Sequence, residues 1–93
     1  MMTVPTPVIV EAWCGGKRSA RIAALLEACV LEPLFPDLAR IAGEAIAAVK
    51  GATVVAAVVM ASAARRCDRV LTADFADLDR LRSYFPDVRL LQV

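Results

Sequence analysis

GATVVAAVVMASAA, residues 51–64, is the longest internal run of the chain without a charge, and Lys50 and Arg65 close it on either side. Its valines suit a strand, but its length and Ala56, Ala57, Ala61, Ala63 and Ala64 favour a helix. A bilayer span needs about 20 apolar residues. The run therefore reads as a buried helix over Thr53–Arg66, apolar nearly all round, and as the most buried element of the fold.

Working outward, Phe35-Pro36-Asp37 opens a second helix in which Leu38, Ile41, Ala42, Ala45, Ile46 and Val49 keep helical spacing, with Gly51 placed to end it. Downstream, Arg69–Thr72 reads as a buried strand. A helix then opens at Asp74 or Phe75 and runs to about Tyr84, and Val88–Val93 is a last strand after Pro86. Upstream, Met2–Val4 reads as a strand end. Pro5 or Pro7 starts a helix carrying Val8, Ile9, Ala12 and Trp13, which stops at Gly15-Gly16. Ser19 is placed to cap the next helix, where Ile22, Leu25, Leu26 and Cys29 recur on one face, and Val30–Leu34 is a short edge strand broken by proline. Strand, helix, strand, helix, strand predicts an α/β fold with a parallel sheet between helices.

Composition agrees with a folded core. Of the 93 residues, 59% are hydrophobic and 18 are Ala, which excludes a disordered chain or a collagen-like repeat. The length suits one domain over residues 1–93. Eleven basic against ten acidic residues give a net charge of +1, so no overall field draws nucleic acid or an anionic membrane. Cys14, Cys29 and Cys67 form no CxxC pair and the chain has no His, so they read as buried thiols in a reducing cytoplasm rather than as zinc ligands. The first ten residues lack the charged start and the cleavage site of a secretory signal.

Three carboxylates are candidates for chemistry. Asp74 stands at the carboxyl end of the strand Arg69–Thr72, where parallel sheets gather ligands, and Asp77 follows one helical turn later. Both also suit the start of a helix, as cap and as a favourable charge at the positive end of its dipole. Glu11 is an acid in an otherwise apolar turn, facing either water or another charged group. Arg65, Arg66 and Arg69 gather at the end of the apolar helix, where cations complement its dipole.

Four ordered blocks, PTPVIVEAW (5–13), RIAGE (40–44), GATVVAAVVMASAA (51–64) and VLTADFADL (70–78), resemble the PIN-domain ribonucleases of VapC toxin type. The resemblance extends over nearly the whole chain. It implies a three-layer α/β/α fold and a metal-dependent endoribonuclease that acts on RNA, is neutralised by a small antitoxin protein and works in the cytoplasm. By the same resemblance Glu11 and Asp74 are the catalytic acids, and Glu11, Asp74 and Asp77 hold Mg²⁺ or Mn²⁺, hard ions that take oxygen ligands.

The sequence also departs from the family. Related sequences carry an aspartate at the start of the buried helix, in a pattern like DVVDA, where this chain reads TVVAA over residues 53–57; Ala56 offers a methyl group to the metal. The family's first strand, with its own metal-binding aspartate, and most of the second would lie before Met1. Each lost carboxylate removes transition-state stabilisation, and every 1.36 kcal/mol is about tenfold in rate, so the expected activity is weak or absent. A non-catalytic module that binds an antitoxin or dimerises, or a fragment without function, is the alternative. A missing central strand leaves backbone groups unpaired at about 1–3 kcal/mol each. The expected remedies are pairing of Arg69–Thr72 with Met2–Val4, a strand from another copy in a homo-oligomer, or a partly molten chain.

Overall fold

The computed structural model describes residues 2–13, 16–72 and 75–92, and for residues 10–12 and 16–19 it describes the backbone alone. Two units, Met1–Leu34 and Phe35–Val93, each make most of their contacts internally. The fold is mixed α/β with short parallel strands, as expected, but the strands form two separate two-stranded sheets rather than one sheet between helical layers.

In the first unit, β1 (Thr3–Pro5) leads directly into α1 (Thr6–Ala12), α2 (Gly16–Glu27) follows, and β2 (Val30–Glu32) returns parallel to β1 with Thr3 opposite Val30 and Pro5 opposite Glu32. Pro7 falls in the first turn of α1, where a missing N–H breaks no helical hydrogen bond. The helix ends where Trp13, in extended conformation, donates its N–H to the Ile9 carbonyl at 2.8 Å.

Two expectations fail in this unit. Ser19 is not the cap of α2, because the helix already begins at Gly16 and places Ser19 inside its first turns. Leu25 is not part of the inward face: it is 69% exposed, while Ile22, Leu26 and Cys29 are half-buried. At about 100° per residue, Leu25 lies about 60° from Ile22 on the side away from Leu26, and Cys29, expected on the same helix, falls beyond its end at Glu27. Among the described side chains of this unit only Pro5 is buried. Its order rests on backbone pairing more than on a hydrophobic interior.

The second unit holds the core. Helix α3 (Pro36–Ala48) and helix α4 (Val54–Arg66) are joined by residues 49–53 and pack on each other. Leu38, Ala42 and Ala45 supply the buried stripe of α3. Helix α4 is buried on nearly every side, through Ala56, Ala57, Val58, Met60, Ala61, Ser62 and Ala63, as its sequence predicts. Gly51 takes a φ of 83° in the connecting turn, a conformation that disfavours a Cβ. Thr53 then caps α4, its Oγ1 accepting the Ala56 N–H at 3.2 Å.

At the other end of α4, Cys67 adopts φ 52° and ψ 45°, and the Cys67 and Asp68 N–H groups close onto the Ala64 and Ala63 carbonyls at 3.2 and 2.9 Å. This is a left-handed helix stop that glycine normally occupies. Cys67 is exposed, which corrects the expectation of a buried thiol; Cys29 is half-buried, with its Sγ 3.3 Å from the Leu25 carbonyl, and Cys14 lies outside the described residues.

The chain continues through β3 (Arg69–Thr72), α5 (Phe75–Asp79), a 3₁₀ turn (Arg80–Ser83) and β4 (Arg89–Gln92). The predicted last helix is thus a short α-helix that tightens into a 3₁₀ turn before Pro86. Strands β3 and β4 are parallel, with Arg69 opposite Arg89, Val70 opposite Leu90 and Leu71 opposite Leu91. Val70, Leu78, Leu81, Phe85 and Val88 complete the core around α4. Strand β3 is not the buried strand expected from RVLT, since only Val70 is buried and Leu71 is 60% exposed. Nor does it take Met2–Val4 as its neighbour: each strand finds its partner within its own unit.

Two substitutions test this account by chemical denaturation. Leu38→Ala, at a fully buried site, is expected to lose about 2–5 kcal/mol, a large share of a net stability of order 5–15. Cys67→Gly removes the Cβ from a left-handed position without emptying a buried site, and is expected to stabilise by about 0.5–1 kcal/mol. A destabilising Cys67→Gly would contradict the helix stop described.

Candidate functional site

The sequence nominates Glu11, Asp74 and Asp77. Glu11 lies in the last turn of α1, within the first unit, and its side chain is outside the described residues; Asp74 lies wholly outside them. Asp77 is described. It sits in the first turn of α5, exposed to solvent, with its Oδ1 3.8 Å from Arg80 Nη1. That spacing is the i, i+3 pairing of a helix surface, and at half-exposure it contributes about 0–1 kcal/mol.

Arg80 has a second engagement. Its Nη1 donates to the Gly51 carbonyl at 3.2 Å, tying the start of the 3₁₀ turn to the α3–α4 connection. A Cβ added at Gly51 would stand 3.3 Å from the same nitrogen. Asp77 therefore belongs to a surface ion pair whose cation braces a turn, a structural role that its sequence context already allowed.

The start of α4 bears directly on the resemblance. Ala56 occupies the third position of the helix, buried, with its N–H taken by the Thr53 hydroxyl. A buried methyl group thus stands at the position where the resemblance leads one to expect an aspartate. Among the described residues no group of three or more His, Cys, Asp or Glu is placed to hold a metal ion. Of the three nominated ligands only Asp77 has a described side chain, and a hard divalent cation takes several converging oxygens.

The arginines after α4 separate into two kinds. Arg66 turns back along the helix: its Nη1 donates to Oγ of the fully buried Ser62 at 2.7 Å, and its Nε lies 3.6 Å from Asp68 Oδ2. Asp68 Oδ1 also accepts the Arg69 N–H at 2.8 Å. Arg66 thus stabilises the helix end and a buried hydroxyl. Arg69 and Arg89 are different, because the parallel register sets them side by side at the start of their strands, both exposed. Sequence reading took Arg69 with the helix end; only the strand register brings Arg89 to it.

Compared with protein-family models, with curated proteins and with solved structures, the chain matches none. No helix of the described residues is long and apolar enough to cross a membrane.

The two readings of Asp77 differ in what its removal does. As a surface partner of Arg80, Asp77→Ala is expected to change stability by less than about 0.5 kcal/mol, while Arg80→Ala loses the bond to Gly51 as well and costs up to about 1 kcal/mol. Equal midpoints for the two variants in urea would contradict the bracing role of Arg80.

Proposed function

We propose that this chain is a VapC-like homologue of PIN-domain toxins, a metal-dependent endoribonuclease by ancestry whose RNA cleavage is impaired by loss of an acidic ligand. What carries the reading is Ala56. The resemblance places an aspartate there, and the residue sits at the capped start of a buried helix, the kind of rigid site from which a carboxylate could be aimed. In its place is a methyl group. Glu11 and Asp74 remain as the proposed catalytic acids, with Asp77 as an auxiliary ligand, and Mg²⁺ or Mn²⁺ as the ion such a set would take. With Ala56 in place of an acid, such a set would supply fewer oxygens than are needed to offset the charge of that ion and of a scissile phosphate together.

The proposed setting is a toxin–antitoxin pair in the cytoplasm, with a small antitoxin protein as partner and a homo-oligomer as the assembled form. A second reading, a module that binds its partner without cleaving RNA, draws support from exposed apolar side chains at Leu25 on α2 and Ile41 on α3. Such residues serve contact surfaces and have no part in phosphate chemistry.

Reversion separates the readings. With single-stranded RNA and Mn²⁺, the wild-type chain is expected to cleave no faster than a metal-free control. Ala56→Asp is expected to raise the rate at least about tenfold, corresponding to 1.36 kcal/mol of transition-state stabilisation, and Asp74→Ala is expected to abolish that gain. Wild-type cleavage that depends on Asp74 would overturn the claim of impairment. An Ala56→Asp protein that folds, yet gains neither cleavage nor thermal stabilisation by Mn²⁺, would overturn the nuclease ancestry.

A further inference from the structure

Parallel sheets are almost always covered on both faces, because their strands bury side chains to either side. In the unit Phe35–Val93, the inner face of β3–β4 lies on the core through Val70 and Leu90. The outer face carries Arg69 and Leu71 from β3 and Arg89 and Leu91 from β4, all exposed, with the two leucines 60% and 43% open to solvent. Like charges directly abreast repel, and neither guanidinium has an ion pair among the described residues. Two apolar side chains and two cations thus share one small surface.

The same unit offers a surface of opposite character. On α3 the buried stripe of Leu38, Ala42 and Ala45 leaves Asp37, Ile41 and Glu44 on one exposed face, with Phe35, 51% exposed, at its start. Glu44 has no ion pair among the described residues. Asp37 has only Arg40, at 3.8 Å and well exposed, and Arg40 stands at the rim of the face. Carboxylates flanking an isoleucine on a helix complement arginines beside a leucine pair on a sheet.

We propose that the outer face of β3–β4, formed by Arg69, Leu71, Arg89 and Leu91, docks the Asp37, Ile41 and Glu44 face of α3 from a second copy of this chain. Where a two-fold axis relates the two copies, the contact is made twice and the closed dimer is isologous; without that axis the contact is heterologous and extends the assembly. A nucleic-acid phosphate would satisfy the arginines and leave the leucines in water, so the mixed surface fits protein better. The proposal rests on the exposure, register and charge of this unit and is independent of the ribonuclease reading.

The test is sedimentation of the full chain from about 10 μM to about 1 mM, the range in which a small interface of this kind associates. Wild type is expected to self-associate, more weakly as salt rises. Arg89→Glu is expected to weaken association at least about tenfold, and adding Glu44→Arg to restore most of the loss by exchanging the charges across the contact. Arg40→Glu, which removes a cation from the docking helix, is expected to tighten it. These side chains are exposed, so circular dichroism of each variant should match wild type. Monomer at every concentration overturns the proposal, as does association indifferent to the exchange. RNA retained by wild type and released by Arg89→Glu, with no change in protein mass, overturns it as well.

Discussion

The close packing of α4 against its neighbours is the constraint from which the larger unit follows. Ala57, Ala61 and Ala63 are almost without exposure, and side chains that small let α3, β3 and the Leu78–Leu81 segment approach the helix from different directions. Interiors at such density tolerate little change in volume. The helix is stopped at both ends by local chemistry, a threonine cap before Val54 and a left-handed cysteine after Arg66. Ser62, the one buried polar residue among the described residues, is satisfied from the same helix by Arg66 one turn on.

Ala56 lies in the core at the start of α4, where a small apolar side chain suits the packing and a charge would be penalised by burial. On the proposed reading, packing and ligand supply would compete for this one position. Asp77 is one member of a surface pair whose cation holds the turn at Gly51.

Much of the fold is legible because its signals are local. The extent of α4 follows from an unbroken run bounded by Lys50 and Arg65, and the stripe of α3 from the recurrence that includes Leu38, Ala42 and Ala45, although Ile41 in the same series is exposed and Val49 lies past the helix end. The strand positions are also local and come out nearly right, because Pro86 and the α4 terminus frame them. Partnership between strands is not local. RVLT looks buried when read alone, yet a two-stranded sheet buries one face, so Leu71 lies outward. The same blindness hid the meeting of Arg69 with Arg89, which depends on a register across 20 positions. Ser19 misled for another reason: a good cap residue is also tolerated within a first turn, and Gly16 begins the helix earlier. Of the candidate site, the sequence marked the acids, but only Asp77 has a described side chain, and its neighbours give it a mechanical part.

The sole tryptophan of the chain, Trp13, falls in the unit where Pro5 alone among the described side chains is buried, whereas the only tyrosine, Tyr84, lies edge-on to Phe85 in the unit that contains the core. Indole emission consequently reports on the first unit, whereas ellipticity sums the helices of both units, α1 and α2 as well as α3 and α4. Segments with few buried contacts open at lower free energy than cores, so a fluorescence transition would register loosening near Trp13 while the α3–α4 pair stays intact. Non-coincident curves would then reflect the uneven distribution of buried surface along the chain, with no need for a misfolded or mixed sample.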